Sequence, residues 1–288
     1  MKLAAIIVVY NPTISSIKSI VHNAGIFTKT YIVDNSDIND GILIKAMEGM
    51  VNVEYLPLYR NDGIARALNI GITSIIFEGY EWVITLDQDS ILPKGYIEQI
   101  YKVLSSHEKA SVGIISPVHL KESLPIERLS DIGDCQEVAS VMMSGNLLSV
   151  KAFKEVGGFK EDFFMDYVDT EFCLRLRAYG FKVIICKSLE ISHELGNSKW
   201  YNLMGLTLKP TNHSYIRRYY ITRNRIYTLL RYYKQDKRYA RGDLFRLMKE
   251  MIYIILFERQ KIRKVRASLI GAIDGYKGRL GKVDLERI

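Results

Sequence analysis

The sequence has few cysteines and no long apolar segment. Its 288 residues include only Cys135, Cys173 and Cys186, and no two of them form a C-x-x-C pair. An odd count without such pairs argues against a disulfide framework and predicts reduced thiols. No run approaches the roughly 18 consecutive apolar residues that a membrane span requires, so no transmembrane helix is predicted.

No secretory leader is predicted, and internal repeats and low-complexity segments are also lacking. Residues 3–9 form a short apolar run, but Asn11 and Pro12 follow it in place of a small-residue cleavage site. A hydrophobic content of 48% is ordinary for a globular protein and excludes disorder of the whole chain. We therefore expect a cytoplasmic globular protein with one large domain, or a domain with an appendage.

Charge is distributed unevenly along the chain. The net charge is +8, but residues from Lys209 onward carry 21 basic and 7 acidic side chains, which leaves 19 basic and 25 acidic residues before them. A basic tail on an acidic body indicates an anionic partner, which is a membrane surface, a nucleic acid or a phosphorylated substrate. Within this tail, residues 251–257 are apolar all round and are flanked by basic residues. That composition fits either a buried helix or an interfacial one at the inner membrane leaflet.

Short apolar runs alternate with helical patterns in the first half of the chain. This rhythm predicts a mostly parallel sheet. The predicted strands are 3–9, 30–34, 52–56, 82–86 and 112–116, and the predicted helices are 14–24, 40–49, 62–77 and 94–107. Residues 141–143 predict a further strand that leads into a tight turn at 144–146. Lys209-Pro210 marks a boundary, beyond which the pattern is helical.

Polar residues follow three of the predicted strands. Asp87 and Asp89 come after strand 82–86, Asp34 ends strand 30–34, and Asn11 follows strand 3–9. Ligands of open α/β sheets bind at the carboxyl ends of the strands, so these side chains should share one rim. Two carboxylates one residue apart suit Mg²⁺ or Mn²⁺ with substrate phosphate oxygens. The alternative interpretation is a solvated acidic turn.

Several motifs in order resemble a known enzyme family. They are Val9-Tyr10-Asn11-Pro12, Val33-Asp34-Asn35-Ser36, Asn61-Asp62-Gly63-Ile64-Ala65, Leu86-Asp87-Gln88-Asp89, the segment 163–175 and Ser192-His193-Glu194-Leu195-Gly196. The sequence resembles the inverting family 2 glycosyltransferases of the GT-A fold, and its later motifs are similar to the bacterial rhamnosyltransferase branch. The resemblance implies a Rossmann-like mixed sheet flanked by helices in a catalytic domain 1–208. Its nucleotide-sugar half would be about 1–117 and its acceptor half about 118–208, before a helical extension 209–288.

The resemblance also implies roles for the residues at the rim. Asp89 would bind a metal that bridges the donor diphosphate, while Asp87 would lie near the ribose and a metal-bound water. Asp34 would accept the imino N–H of uracil or thymine, with Val9 and Asn11 bordering the base. The alternative for Asp34 is a helix or turn cap.

The remaining donor-site expectations come from the same resemblance. Asp62, Asn69 and Arg66 would contact the nucleotide sugar, although relatives carry an arginine where this chain has Leu68, and Arg66 could instead be a surface residue. Arg223 would contact the diphosphate, against the alternative of a solvated basic helix face. His193 would complete the metal site, against the alternative of a structural histidine.

The catalytic base is expected in the acidic cluster 166–171. The resemblance matches Asp169 to the carboxylate that takes the proton of the acceptor hydroxyl, with Asp166 as its rival. Relatives carry a glutamate where this chain has Val168. The alternative is a set of acidic residues that complements the dipole at a helix start.

Three functions are considered for this sequence pattern. The favoured one transfers L-rhamnose from dTDP-β-L-rhamnose to a cell-surface polysaccharide or lipid-linked acceptor, at the inner face of the membrane. The second keeps the fold but uses UDP-galactofuranose, a UDP-N-acetylhexosamine or UDP-glucose. A basic nucleic-acid-binding protein would explain the tail but leave the acidic rim unexplained, because carboxylates repel phosphates. A homodimer through the C-terminal helices is a further expectation.

Overall fold

Two units make up the chain in the computed structural model. The structure describes residues 2–39, 41–120, 135–193, 201–203, 206–208 and 211–288. Residues 1–160 and 169–194 form the first unit, the sheet unit, and residues 161–168 and 195–288 form the second, the helical unit. This division differs from the predicted boundary after residue 208, and the predicted punctuation at Lys209-Pro210 lies outside the described residues.

A single mixed sheet organises the sheet unit. Its strands are β1 (Leu3–Val9), β2 (Thr30–Asp34), β3 (Val53–Pro57), β4 (Trp82–Asp87), β5 (Ser90–Ile91), β6 (Val112–Leu120), β7 (Cys135–Glu137), β8 (Asn146–Ser149) and β9 (Lys182–His193). The order is β3-β2-β1-β4-β8-β6-β9-β5, and β7 pairs with β9. Strands β1 to β4 are parallel, whereas β8 runs antiparallel to β4 and β6. The expected mixed α/β sheet flanked by helices is therefore confirmed.

Helices cover both faces of this sheet. They are α1 (Ile14–Ala24), α2 (Ile42–Ala46), α3 (Ile64–Phe77), α4 (Tyr96–Ser105), α5 (Val150–Val156) and α6 (Val168–Ala178). Ile7 and Ile32 lie in the core cluster that includes residues of α1, α2 and α4. Ile6 and Val33 point the other way, because side chains alternate along a strand, and they approach Gly71 of α3 closely. Both faces being buried explains why these strands are apolar throughout.

A cross-strand disulfide corrects one expectation. The antiparallel register of β7 and β9 places Cys135 opposite Cys186, and the two are joined. The expectation of three reduced thiols is thus wrong for this pair, because strand register brings together cysteines separated by 51 residues. Cys173 is the free cysteine, and burial raises its pKa to about 12.

The helical unit contains a short hairpin and three long helices. The elements are β10 (Tyr201–Leu203), β11 (Leu206–Leu208), α7 (Tyr215–Tyr232), α8 (Lys237–Phe257) and α9 (Lys261–Tyr276). Gly271 and Gly275 let α9 approach α7 so closely that a Cβ at either position would collide with the backbone of Tyr219 or Arg223. Within the described ranges, no helix is long and apolar enough to cross a membrane.

Candidate active site

The carboxyl ends of β2, β1 and β4 form the rim that carries the predicted residues. Val9 of β1 is in register with Asp34 of β2, and Val8 is in register with Asp87 of β4. The N–H of Asn35 donates to the carbonyl of Val9 at 2.8 Å and extends the ladder past the strand end. At a strand spacing of about 4.8 Å, the backbones of the two aspartates lie roughly 10 Å apart. The rim predicted from the strand endings is thus present, and β1 lies between its two acidic positions.

Ser144 holds the turn that carries Asp87 and Asp89. Its hydroxyl accepts the N–H of Asp87 at 3.0 Å and lies 2.7 Å from the hydroxyl of Ser90. Ser144 and Ser90 are both buried, whereas the two aspartates are half-buried. The turn between β4 and β5 is therefore fixed from beneath, with its carboxylates at the surface of the rim. The sequence marked Ser144 only as part of a turn.

A glycine turn places Ser144 correctly. Gly145 has a φ of +79°, and a Cβ there would lie 2.8 Å from side-chain atoms of Ile191 and Pro117. His119 lies on the other side of the turn, with Nε2 2.9 Å from the carbonyl oxygen of Ser144. A larger residue at position 145 would displace the turn and, through it, the acidic pair.

The strand predicted for residues 141–143 is wrong. Strand β8 begins at Asn146, after the turn and not before it. The side chain of Asn146 donates to the carbonyl of Met142 at 2.8 Å, and the hydroxyl of Thr85 donates to the carbonyl of Met143 at 2.6 Å, so side chains satisfy these two carbonyls in place of a strand ladder.

His193 is brought to the acidic turn by strand pairing. The short strand β5 runs antiparallel to the end of β9, and Ser90 pairs with His193 in this register. Asp89 precedes Ser90, so the backbone of His193 lies beside the turn. The side chain of His193 and the rest of its motif, residues 194–196, lie outside the described residues. The predicted third metal ligand is thus placed by its backbone alone.

The donor set at this turn fits a hard divalent cation. Asp87 and Asp89 offer carboxylate oxygens, the ligands that Mg²⁺ and Mn²⁺ prefer, and both ions usually take further oxygens from substrate phosphates and water. Among the residues that the structure describes, no group of three or more His, Cys, Asp and Glu side chains is arranged to hold a metal ion. A metal here would thus rely on ligands beyond the two carboxylates.

Asp34 is held in place by neutral donors. It is only 3% exposed. Its Oδ1 accepts the N–H of Ser36 at 3.0 Å, and its Oδ2 accepts the hydroxyl of Tyr55 at 2.5 Å. The amide of Asn39 donates to the same hydroxyl. Tyr55 is not among the predicted site residues, although it lies on β3 two residues before Pro57, the register partner of Asp34.

The loop after β1 connects the two halves of the rim. The N–H of Asn11 donates to the hydroxyl of Ser36 at 2.8 Å, on the side of Asp34. The N–H of Tyr10 donates to the side chain of Gln88 at 2.8 Å, on the side of the acidic turn. Asn11 has a φ of +43° and an exposed side chain. The structure therefore brings Val9, Asn11, Asp34, Asp87 and Asp89 together.

The three site residues predicted at the start of α3 make different contacts. The carboxylate of Asp62 is paired with Arg66 at 3.2 Å and with Arg60 at 2.7 Å, and both arginines are exposed. The amide of Asn69 instead bonds both backbone groups of Phe159, at 2.8 and 2.9 Å. These contacts give Asn69 a structural role, so its predicted contact with the donor is not retained.

Two acidic residues at the start of α6, Glu171 and Asp169, have different surroundings. Glu171 is 2% exposed and forms a bidentate pair with Arg175, with N–O distances of 3.1 and 2.8 Å. Asp169 is half-buried in the first turn, and its Oδ1 accepts the N–H of Thr170 at 2.7 Å. Glu171 therefore stabilises the helix. Asp169, which belongs to the sheet unit, remains the predicted catalytic base.

A family match identifies the enzyme class. The family described as "Glycosyl transferase family group 2" matches residues 82–275, about two-thirds of the chain. The chain belongs to this glycosyltransferase family. Across 292 aligned residues, the glycosyltransferase is 27% identical to "dTDP-rhamnosyl transferase RfbF" of Shigella flexneri, covering 96% of each protein. The non-enzymatic alternative is therefore discarded.

Solved structures confirm the GT-A fold of the glycosyltransferase. S. aureus TarS 1-349 in complex with UDP-GlcNAc aligns with a TM-score of 0.64 at 11% identity, over 96% of this chain and 81% of that one. The mannosyltransferase PcManGT from Pyrobaculum calidifontis, in complex with GDP-Man and Mn²⁺, aligns with a TM-score of 0.59 at 14% identity, over 98% and 76%. At these identities the likeness concerns the fold alone.

In the helical unit of the glycosyltransferase, Asp166 lies in a strained loop. Phe164, Asp166 and Tyr167 all have positive φ values, of 43°, 59° and 62°. Arg217 donates to both carboxylate oxygens of Asp166 at 3.0 to 3.1 Å. Burial raises the pKa of Asp166 above its ordinary value, and Arg217 opposes that rise. Three strained residues within four positions require surrounding contacts that fix them.

Asn224 provides those contacts, with help from Arg223. The Asn224 amide donates to the carbonyls of residues 163, 165 and 166 at 3.1, 2.9 and 2.9 Å. Arg223 has no exposed surface, and it donates to Asn224 at 2.9 Å and to the carbonyl of Asp162 at 3.2 Å. A buried guanidinium bonded in this way cannot contact a diphosphate, so that expectation for Arg223 is replaced by a structural role. These bonds also explain why residues 161–168 belong to the helical unit.

Proposed function

We propose that this enzyme is an inverting rhamnosyltransferase. It would move L-rhamnose from dTDP-β-L-rhamnose to a cell-surface polysaccharide or to a lipid-linked saccharide. The rim that carries Asp34 at the end of β2 and Asp87 and Asp89 at the end of β4, with β1 between these strands, supports this proposal, because it would combine a pyrimidine acceptor with a cation site. The end-to-end relative named as a dTDP-rhamnosyl transferase supports the choice of donor.

The base of the donor is proposed to meet Asp34. A carboxylate held by Ser36 and Tyr55 accepts the imino N–H of thymine or uracil, whereas guanine offers a different edge. Val9 and Asn11 would border the base. Arg66, exposed at the start of α3 and paired with Asp62, would approach the diphosphate, while Asp62 would contact the nucleotide sugar elsewhere. This recognition does not by itself separate dTDP from UDP donors.

The metal and the diphosphate are proposed to meet at the acidic turn. Asp89 and Asp87, with His193, would hold Mg²⁺ or Mn²⁺, and such an ion stabilises negative charge on a departing diphosphate. Ser144 keeps the two carboxylates in place, which avoids reorganisation when the donor binds.

Asp169 is proposed as the general base. Its carboxylate takes the proton of the acceptor hydroxyl while the oxygen attacks the anomeric carbon. The bond from that carbon to the diphosphate oxygen breaks on the opposite face, so the configuration inverts. The N–H of Thr170 orients one carboxylate oxygen.

A donor panel tests the proposal. The purified enzyme is incubated with dTDP-rhamnose, UDP-galactofuranose, UDP-N-acetylglucosamine or UDP-glucose, in Mn²⁺, Mg²⁺ or a chelator. We expect the fastest nucleotide release from dTDP-rhamnose, with none in the chelator. If only a UDP-sugar is turned over, the second candidate donor class is correct. If turnover is equal in the chelator, the enzyme does not require a metal. Real-time NMR of the rhamnose anomer that forms first, before mutarotation equilibrates the two anomers, decides inversion.

A further inference from the structure

Helix α8 exposes a wide apolar face. Six large apolar side chains on this helix are exposed, by 48 to 69% of their surface, and these are Leu244, Phe245, Met248, Ile252, Ile255 and Leu256. At about 100° per residue they fall within roughly 120° of the helix circumference. Only Ala240, Asp243 and Ile254 are buried, all on the opposite side. Residues 251–257 are thus not equally exposed on every side of the helix, because Ile254 is buried whereas Ile252, Ile255 and Leu256 are exposed.

Helix α9 repeats this pattern. Ile262, Leu269, Ile273 and Tyr276 are exposed by 53 to 86%. Their spacing of seven, four and three residues places them on one stripe of the helix. These residues and the six of α8 form what we call the α8–α9 apolar face. Isolated exposed apolar residues are ordinary, but an apolar stripe on each of two successive helices that contact each other indicates a binding surface.

Basic side chains accompany these stripes, and the acidic ones are committed elsewhere. Arg241, Lys249, Arg259, Lys261, Arg263 and Arg266 are all exposed. The three acidic residues between 237 and 266 each have cationic partners inside the helical unit. Asp243 pairs with Arg225 and Arg246, Glu250 with Arg218 and Arg225, and Glu258 with Arg218 and Lys264. The exposed charge beside the apolar face is therefore positive.

We propose that the α8–α9 apolar face binds the surface of an anionic phospholipid bilayer. Apolar side chains would enter the boundary between headgroups and acyl chains, while the arginines and lysines meet lipid phosphates. A second copy of this chain fits less well, because two faces of the same positive charge would repel. Nucleic acid would match the charge but leave ten apolar side chains in water. The proposal does not depend on the donor or on transfer.

Vesicle sedimentation of the full-length enzyme tests the proposal without nucleotide. The vesicles contain phosphatidylcholine alone or phosphatidylcholine with phosphatidylglycerol. We expect binding to the anionic vesicles at low salt and release at high salt. The double variant Phe245→Ser/Ile252→Ser should lower the partition constant by roughly tenfold. The triple variant Arg259→Gln/Lys261→Gln/Arg263→Gln should lower it further and flatten the dependence on salt.

Matched controls use exposed residues of the sheet unit. Val51→Ser/Phe77→Ser removes two exposed apolar side chains, and Lys109→Gln/Lys151→Gln/Lys154→Gln removes three exposed charges. Both controls should bind like the parent. Equal binding by the test variants would overturn the proposal, as would a parent that ignores anionic vesicles. A dimer on size exclusion that Phe245→Ser/Ile252→Ser dissociates would instead assign the face to a second copy. RNA competition that depends on the charges alone would assign the surface to nucleic acid.

Discussion

The buried carboxylates of the helical unit and Asp34 of the sheet unit are held by different kinds of partner. In the helical unit, Asp243, Glu258 and Asp274 are each 1 to 3% exposed and are paired with arginine or lysine. In the sheet unit, Asp34 is equally buried but accepts from a backbone N–H and a tyrosine hydroxyl. An acid that already has a cation in the fold contributes to stability, whereas an acid held by neutral donors remains suited to a ligand.

Glu258 illustrates the stabilising use. Arg218 lies 2.7 Å from one of its oxygens and Lys264 lies 2.8 Å from the other. Burial alone would raise the pKa of Glu258, but the two cations outweigh burial and hold this pKa below its ordinary value. Its charge therefore joins α7 and α9 across the end of α8.

Removing Asp89 should have the largest effect on activity. Asp89→Ala should lower transfer to less than about one thousandth of the parent rate while the urea midpoint of unfolding stays unchanged. Nucleotide release and calorimetric binding of dTDP with Mn²⁺ measure the loss. Glu155→Ala, an exposed acid on α5, is the control. Full turnover at ordinary Mn²⁺ would contradict the metal assignment.

The next effect separates Asp169 from Asp166. Asp169→Asn should reduce kcat by roughly 10²–10⁴ and leave donor affinity nearly intact, because an amide cannot take the acceptor proton. Asp166→Asn keeps the size of a residue bound by Arg217 and should reduce kcat much less. The reverse result would show that Asp166 is the base.

Disrupting the ion pairs of the helical unit should affect stability. Glu258→Ala leaves Arg218 and Lys264 buried beside an empty position and should lower the free energy of unfolding by about 3–5 kcal/mol. Urea unfolding measures this loss. Asp34→Ala should cost far less stability, since no cation loses its partner. Similar losses of stability for both variants would contradict the distinction between an acid paired with buried cations and an acid held by neutral donors.

A histidine gives the helical unit a pH dependence. Burial, with Arg217 and Arg218 nearby, lowers the pKa of His213 to about 4. The unfolded chain binds this proton near pH 6.5, so the folded state loses stability as the pH falls from about 6.5 toward about 4. Allowing for solvent screening, we expect a loss of roughly 1–3 kcal/mol that His213→Gln removes. An unchanged pH profile of urea unfolding in this variant would refute the assignment.

The smallest predicted effect concerns Tyr55. Tyr55→Phe removes one hydrogen bond to Asp34 and should weaken dTDP binding by roughly fivefold to tenfold, with little change in kcat. Competition among dTDP, UDP and GDP measures the change. Tyr59→Phe, an exposed tyrosine just beyond β3, is the control. If the parent binds GDP as tightly as dTDP and UDP, Asp34 does not select the base.

The local pattern predicted much of the sheet unit. Strands β1 and β2 have the predicted bounds, β3 is shifted by one residue at both ends, and β4 extends one residue further than predicted. Buried parallel strands are apolar throughout and end at polar turns, so the pattern is strong in a single sequence. The strand predicted at residues 141–143 is absent. Three apolar residues are too few to show a period, and the carbonyl of Met142 bonds the side chain of Asn146 in place of a strand backbone.

The sequence by itself determined the rim of acidic strand ends and the basic C-terminal tail, because these follow from short-range pattern and composition, and its ordered motifs carried the resemblance to the enzyme family. Only the tertiary structure decided that Arg223 is buried, that Asn69 holds a backbone turn, that Cys135 meets Cys186, and that Tyr55 meets Asp34. Each of these depends on a contact between distant parts of the chain. Side-chain roles are decided by such contacts, since the same arginine or aspartate binds a ligand or a neighbour according to what the fold places beside it.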